Sequence, residues 1–264
     1  MNTLALPGLK ALNRPMEMDE KAFGFLRDSN DILGDGAALR ARMEEDGYLV
    51  IRGLHDRNQV IEGRLDVCEK LCRDGLIEPG FDEHHARCVT GKSSGWAPHY
   101  AERNPKISDV VYGPRTMAFF DCFLGGKTRH FDYTWFRPCS TGVNGAPPHC
   151  DVVYMGRGTQ KLYTMWTPFS DVSLEMGPLM ILENSYKLRA RLQNYLSRDV
   201  DTFCTNYPDG DDIAAGKKTW HWDGWLTNNP ISLRQKYGTR WLTTPFQMGD
   251  ALIFSIHTIH AFID

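Results

Sequence analysis

The chain has 264 residues, 42% of them hydrophobic and 11% aromatic, with a formal net charge of −3. That is enough apolar material for one large domain, and its acids and bases are interspersed, so no basic face points to nucleic acid. No run approaches the length of a membrane span, and Met1 to Pro15 lacks the uninterrupted apolar stretch of a signal peptide. Seven cysteines (Cys68, Cys72, Cys88, Cys122, Cys139, Cys150 and Cys204) are scattered without a repeating pattern, and Cys68 and Cys72 lack the second pair of a zinc site. Reduced thiols in a soluble cytoplasmic protein are the simplest expectation.

Residues 1–35 are loosely patterned, with Pro7, Gly8 and Pro15, and are expected to form an arm lying on the domain. Ala37 to Glu45 predicts a short helix that stops at Asp46-Gly47, where glycine can take a left-handed cap. Tyr48 to Arg52 predicts a strand by its β-branched content. Gln59 to Arg73 places Val60, Leu65, Val67, Cys68, Leu71 and Cys72 near helical spacing. Residues 75–113, rich in glycine and proline, are expected as long loops. Their His84, His85 and His99 either line the mouth of a cavity or face solvent.

From Thr128 the texture changes to strands. Arg129 to Arg137 alternates His130, Asp132, Thr134 and Phe136 against Phe131, Tyr133, Trp135 and Arg137, a barrel-like pattern. A Pro147-Pro148-His149 strand follows, then strands over Leu162–Trp166 and Gly177–Leu182, and an amphipathic helix over Lys187–Leu196. Residues 187–245 are expected as an insert between strands. Its Trp220-His221-Trp222-Asp223-Gly224-Trp225 cluster is either an aromatic lid hinged at Gly224 or, as preferred, a hydrophobic clasp. The last strand is predicted over Ala251–His260. Many short strands and few helices imply one domain over 1–264, mainly β with flanking helices, arranged as a jelly roll.

The chemistry concentrates in Pro147-Pro148-His149-Cys150-Asp151 and the terminal segment. On a strand, His149 and Asp151 at i and i+2 point the same way. Joined by a distant histidine they form a two-His-one-carboxylate set, the pattern of non-haem Fe(II) oxygenases, which leaves iron positions open for a co-substrate and oxygen. The two prolines stiffen the approach to His149. After Gly249-Asp250, a continuous strand puts Leu252, Phe254, Ile256, Thr258 and His260 on one face and His257 on the other. Alternation does not say which face is inward, so either histidine can be the third ligand.

Four segments resemble the phytanoyl-CoA dioxygenase family: Gly249-Asp250-Ala-Leu-Ile-Phe254 followed by His260; Pro148-His149-Cys150-Asp151; Glu175-Met-Gly177-Pro178-Leu-Met-Ile-Leu-Glu-Asn184-Ser185; and Asp46-Gly47-Tyr48-Leu-Val-Ile-Arg52-Gly53-Leu54. They occur in order, from about Leu39 to the last residue. The resemblance implies a cupin-like double-stranded β-helix holding Fe(II) through His149, Asp151 and His260. It further implies 2-oxoglutarate as co-substrate and O2 as oxidant, with hydroxylation of a small organic substrate and release of succinate and CO2. His257 then falls to a packing role. Related halogenases carry a small residue where this chain has Asp151, so hydroxylation is the implied outcome.

The family's arginine for the distal carboxylate of 2-oxoglutarate lies well beyond the distal histidine, whereas this sequence ends at Asp264, so a truncated final strand is expected. Trp166, Arg137 and Tyr154 remain as residues expected beside the co-substrate. Arg157 and Lys161 could hold an acid but read as solvated loop charges, and no phosphate-cradling glycine-rich loop argues for a CoA thioester. Competing readings are a catalytically degenerate barrel that binds metal or ligand, and a hydrolytic zinc site. The latter lacks a glutamate placed beside the ligands as general base. A small-molecule substrate is expected, with no nucleic-acid or membrane partner; the substrate's identity and the oligomeric state are not legible.

Overall fold

The computed structural model describes residues 8–131, 133–138, 145–200, 210–218 and 222–264. Its strands are β1 (Lys10–Ala11), β2 (Arg14–Pro15), β3 (Phe23–Phe25), β4 (Tyr48–Ile51), β5 (Tyr163–Trp166), β6 (Leu179–Leu182), β7 (Trp241–Thr243), β8 (Ala251–Ser255) and β9 (His260–Phe262). Its α-helices are α1 (Gly36–Asp46), α2 (Arg57–Arg73), α3 (Pro105–Val111), α4 (Pro114–Leu124), α5 (Val152–Met155), α6 (Gln193–Leu196), α7 (Gly210–Ala214) and α8 (Pro230–Tyr237). No helix among the described residues is long and apolar enough to cross a membrane.

Two sheets organise the chain, one in the order β4-β8-β5 and the other β3-β7-β6-β9, with β1 and β2 forming a small separate hairpin. Side chains alternate across a strand, so a strand buried on both faces feeds two apolar layers at once. In β8, Leu252 and Phe254 enter the layer shared by both sheets, while Ala251 and Ile253 enter the layer under α1 and α4. Tyr48 and Val50 of β4 follow the first pair, and Leu49 and Ile51 the second. In the opposite sheet, Leu179 and Ile181 of β6 face the shared layer, whereas Met180 and Leu182 face an outer cluster with Trp241, Tyr195 and Leu233. Each fully buried leucine or phenylalanine here contributes about 2 kcal/mol through area removed from water. This double burial explains why β6 and β8 read as continuous apolar runs.

Helix boundaries follow their caps. The Asp35 carboxylate accepts from the amides of Ala37 and Ala38, and Gly47 closes α1 at φ 80, a left-handed conformation glycine takes without strain. Asp56 caps α2 in the same way through Asn58 and Gln59. Helix α4 falls in a stretch with no sequence-based assignment, although Pro114 stands in its first turn and Gly125 at its C-cap.

Gly249-Asp250 anchors the sheets to the preceding loops. The buried Asp250 carboxylate accepts from Arg52 Nη1 at 2.8 Å and from the amides of Gly53 and Gln247 at 3.0 and 2.9 Å. Arg52 also reaches Asp28, Thr244 and the Pro245 carbonyl, and its guanidinium lies over the Phe246 ring. The Asp-Gly-Tyr-to-Leu54 stretch and the Gly-Asp turn are thus two halves of one polar knot.

Several expectations need correction. The 1–35 arm contributes β3, which pairs in parallel with β7. Strand β7 itself falls inside the expected 187–245 insert, and Trp241 is buried in the core. Among the described residues of 129–137 there is no ladder strand; the segment is tied by the Ala97 amide to the Phe136 carbonyl at 2.9 Å. Alternation reports which way side chains face, not whether a partner strand lies alongside. Residues 75–113 are not all loop, since α3 and a 3-10 turn over Pro98–Tyr100 occupy part of them. The expected helix over 187–196 is wound as a 3-10 helix from Ser185 to Leu192 and then as α6, burying Leu192 and Tyr195. The terminal strand breaks after Ser255 and resumes at His260, so its faces do not count through the turn. Cys68, Cys72, Cys122 and Cys150 are free thiols, as expected; Cys88 is disulfide-bonded, contrary to a fully reduced chain.

Two stability tests follow. Asp250→Ala leaves the amides of Gly53 and Gln247 without their acceptor and takes one partner from Arg52, which keeps Asp28, and is expected to cost about 2 kcal/mol in urea unfolding. His55 lies buried between the hydroxyls of Thr116 (3.1 Å) and Thr167 (3.0 Å). Burial first, and then the Arg115 charge, push its pKa down to about 4. The folded state therefore prefers neutral His55: the stabilisation is complete above the unfolded value near 6.5 and is lost as pH falls toward 4. In His55→Gln, the loss of stability between pH 7 and pH 4.5 is expected to be smaller than in the native chain.

Candidate metal centre

The site forms where the two sheets meet the chain that follows Pro147. His149 pairs with His260 as an isolated antiparallel bridge, each amide donating to the other's carbonyl at 3.1 and 3.0 Å. The Phe262 amide extends the pairing to the Ala146 carbonyl. His149 therefore stands beside β9 as a further edge residue of the β3-β7-β6-β9 sheet.

Asp151 is reached differently from expectation. It does not continue a strand; its backbone is αR (φ −67, ψ −19) and it stands at the N-cap of α5. The turn is fixed by the Cys150 amide donating to the Tyr195 hydroxyl at 3.0 Å and the Val152 amide donating to the Ile256 carbonyl at 2.9 Å. The carboxylate nonetheless meets both imidazoles, with Asp151 Oδ1 3.7 Å from His149 Nε2 and 3.5 Å from His260 Nε2. One ligand atom from each of the three residues lies within 4.8 Å of the others. A metal with bonds of about 2 Å draws cis ligand atoms to about 3 Å, a little closer than the two pairs measured here.

The surroundings prepare all three groups for a cation. His149 Nδ1 lies 2.6 Å from the Pro147 carbonyl and His260 Nδ1 3.0 Å from the Thr258 carbonyl. A carbonyl only accepts, so each Nδ1 carries the proton and each Nε2 presents a lone pair toward Asp151. Burial, followed by the neighbouring His260, lowers the His149 pKa and keeps its imidazole neutral. On the third ligand, the Thr164 hydroxyl donates to Asp151 Oδ2 at 2.5 Å, leaving Oδ1 for the centre. Phe254 packs against the His260 ring at 4.5 Å between centroids, forming an apolar floor. Two imidazoles with Nε2 turned to the centre, an oriented carboxylate and an apolar floor suit a divalent first-row metal.

Sequence reasoning missed the role of Thr164. The signal was available: a threonine between Tyr163 and Met165 in an otherwise apolar strand needs a partner when it faces inward. Of the two terminal histidines, the turn brings His260 beside Asp151 and His149. His257 Nδ1 accepts from Arg189 at 2.6 Å, in a separate surface cavity of about 420 Å³ that also holds Arg157 and Arg198.

Of the remaining candidates, Trp166 shares the inward face of β5 with Thr164 and packs edge-on against Phe246 at 4.9 Å and Phe262 at 6.3 Å. Tyr154 meets His149 edge-on at 5.7 Å, and its hydroxyl donates to the Asp223 carbonyl at 2.5 Å. Arg137 lies over the Trp96 ring at 5.6 Å, and its charge bears on both His149 and Tyr154. Residues 222–226 are clasped to the metal loop. The Leu226 amide donates to the Pro148 carbonyl, the Tyr195 hydroxyl to the Gly224 carbonyl, and a Cβ at Gly224 (φ 85) would fall on the Tyr154 hydroxyl. Trp220 and His221 lie outside the described residues. His84, His85 and His99 are not drawn into the centre; His85 pairs with Asp82, and His99 lies against Tyr100. Arg157 pairs with Asp199.

A family model described as phytanoyl-CoA dioxygenase (PhyH) matches residues 43–261, which include His149, Asp151 and His260. The chain belongs to this family. Among solved structures, the carbocyclase SnoK from nogalamycin biosynthesis, described as non-haem and α-ketoglutarate dependent, aligns at TM-score 0.53 and 14% identity, covering 90% of this chain and 80% of that one. The epimerase SnoN, solved with Fe3+, α-ketoglutarate and nogalamycin RO, aligns at TM-score 0.46 and 17% identity over 86% and 76% of the two chains. EvdO2 from Micromonospora carbonacea var. aurantiaca gives TM-score 0.47 and 16% identity over 85% and 82%. At 14% identity the likeness to SnoK is one of fold.

Because Thr164 orients one ligand, Thr164→Val is expected to weaken Fe(II) binding by roughly tenfold, the usual effect of losing an outer-shell partner. An anaerobic titration that reads Fe(II) affinity checks this, with circular dichroism showing an intact fold.

Proposed function

We propose that this PhyH-family protein is an Fe(II)- and 2-oxoglutarate-dependent dioxygenase that hydroxylates a small organic substrate. The observation that carries the reading is the pair of Nδ1-anchored histidines facing one Thr164-oriented carboxylate. His149 Nε2, His260 Nε2 and Asp151 Oδ1 would hold the iron. When bound with 2-oxoglutarate and O2, the iron supplies oxidation of a substrate C–H, with release of succinate and CO2. We read the two sheets as the halves of the family's double-stranded β-helix, and a cytoplasmic setting belongs to the same reading.

The chain's own groups have definable tasks. The carbonyls of Pro147 and Thr258 hold the proton on each Nδ1 and aim each Nε2 at the centre. Phe254, Trp166 and Phe262 exclude water from the floor. Arg137 supplies positive charge on the His149 side and would draw a carboxylate there. Trp166 and Tyr154 would border the co-substrate, Tyr154 through its ring edge since its hydroxyl holds Asp223. A carboxylate at position 151 leaves no place for a halide, which favours hydroxylation over halogenation. SnoN and SnoK are described as an epimerase and a carbocyclase, so the products must be identified directly.

Anaerobic addition of Fe(II) and 2-oxoglutarate is expected to give the weak visible charge-transfer band of a chelated keto acid, absent in Asp151→Ala. With O2 and substrate, one atom of labelled oxygen should enter the product and succinate should form in step with it. Fe(II) binding without the band would contradict the co-substrate assignment, and an unlabelled, isomerised or cyclised product would contradict hydroxylation.

A further inference from the structure

A second cavity, of about 420 Å³, opens beside the turn that carries Asp151 and is lined by none of His149, Asp151 and His260. Its wall comes from four places in the chain: Val152 and Gly156 at the two ends of α5, Arg189 in the 3-10 helix, Ser197 and Asp199 after α6, and His257 between β8 and β9. A hollow of this size takes a small molecule, and its few polar groups decide which.

Cations dominate those groups, since Arg157 and Arg198 line the cavity as well. Arg157 donates through Nε and Nη2 to the two carboxylate oxygens of Asp199, at 2.6 Å each, so the one carboxylate among the described lining residues is already engaged. Arg198 lies over the Trp222 ring at 4.1 Å. Arg189 is placed differently. Among the described residues no carboxylate pairs with it, and its Nη2 donates to His257 Nδ1 at 2.6 Å. Glu44 lines a neighbouring cavity that Arg189 also borders, yet among the described residues it forms no ion pair with it.

The contact with Arg189 fixes what His257 offers. A guanidinium has no lone pair to give, so Nδ1 accepts and the ring proton sits on Nε2. Burial, and then the Arg189 charge, push the His257 pKa down to about 4, so the ring is neutral at neutral pH. His257 is only 6% exposed, and its Nε2–H meets no acceptor among the described residues. Buried donors are rarely left so, because the unmade hydrogen bond is costly. This N–H and the remaining N–H groups of Arg189, on one cavity wall, call for the same partner, an oxyanion with several acceptor oxygens.

The cavity and the metal loop share a wall. The amide of Val152, next to Asp151, donates to the Ile256 carbonyl at 2.9 Å, and the Cys150 thiol to the His257 carbonyl at 3.4 Å. Whatever holds His257 therefore also steadies the backbone from which the Asp151 turn hangs. We propose that this cavity is a second binding site, in which Arg189 and His257 hold a small molecule bearing a doubly charged oxyanion, and that its occupancy stiffens the turn carrying Asp151. A phosphate monoester and a dicarboxylate share this chemistry. Neither iron nor 2-oxoglutarate enters the proposal, so it stands or falls apart from the oxygenase reading.

The full chain, metal-free and in a chloride buffer at about pH 8, where phosphate is doubly charged, is titrated calorimetrically with inorganic phosphate, succinate and acetate. Phosphate and succinate are expected to bind at one site per chain, the tighter of them naming the head group, and acetate far more weakly. Arg189→Met is expected to lose about tenfold or more in affinity for the dianions, the effect of a missing charge-assisted bond, and Arg189→Lys to recover part of it. Arg191 lies over Tyr237 and outside the cavity, so Arg191→Met removes the same charge and should bind as the native chain does. With phosphate bound, amide hydrogen exchange over residues 150–156 should slow. Equal affinity in Arg189→Met, an equal loss in Arg191→Met, or acetate bound as well as succinate would overturn the site. Binding without slower exchange over residues 150–156 would overturn the stiffening.

Discussion

The backbone pairing of His149 with His260 is the constraint on which the site depends. Two amide–carbonyl bonds lock the chain after Pro148 to β9, so two histidines separated by 111 positions share one register. Their ring centroids come within 4.2 Å. Packing imidazoles this closely would be costly if both were charged, and burial with carbonyl-held Nδ1 protons keeps the pair suited to a cation between them. Asp151 supplies the compensating charge from the first turn after the bridge. Removing the pairing would leave three good ligands with no shared centre.

The rest of the fold serves that register from both sides. β9 is held by β6, whose own faces split between the inter-sheet layer and the outer cluster. β5 brings Thr164 across from the opposite sheet, and its pairing with β8 puts Trp166 over the same layer. On the outside, Tyr195 links the Cys150 amide to the Gly224 carbonyl, and Leu226 bonds to Pro148. The long connection between β6 and β7 therefore braces the loop after Pro148 directly. Its role as a clasp follows from these bonds more than from its aromatic content.

Much of this was legible in the residues, for reasons that can be stated. β4, β6 and β8 are strongly apolar because both faces are buried, and α1 and α2 start at aspartate N-caps, with Gly47 closing α1, all of which act locally. His149, Asp151 and His260 were found as a set, although the strand geometry first used for Asp151 was wrong: the residue is helical, and the turn, not alternation, aims it. The choice between His257 and His260 could not come from periodicity, because the chain turns between Ser255 and His260. β3 and β7 were hidden by shortness, three residues each, and by partners far apart in sequence. Thr164 needed the position of Asp151, which no local pattern supplies.

The central claim is that the chain itself sets both histidines with Nδ1 protonated and Nε2 bare toward Asp151. Long-range proton–nitrogen correlation spectra of the metal-free protein, with 15N-labelled histidine, test this most directly. Single-histidine substitutions would assign the rings. The account predicts the Nδ1–H tautomer for both His149 and His260. An Nε2–H tautomer at either position would contradict it, since the lone pair meant for the metal would then carry a proton.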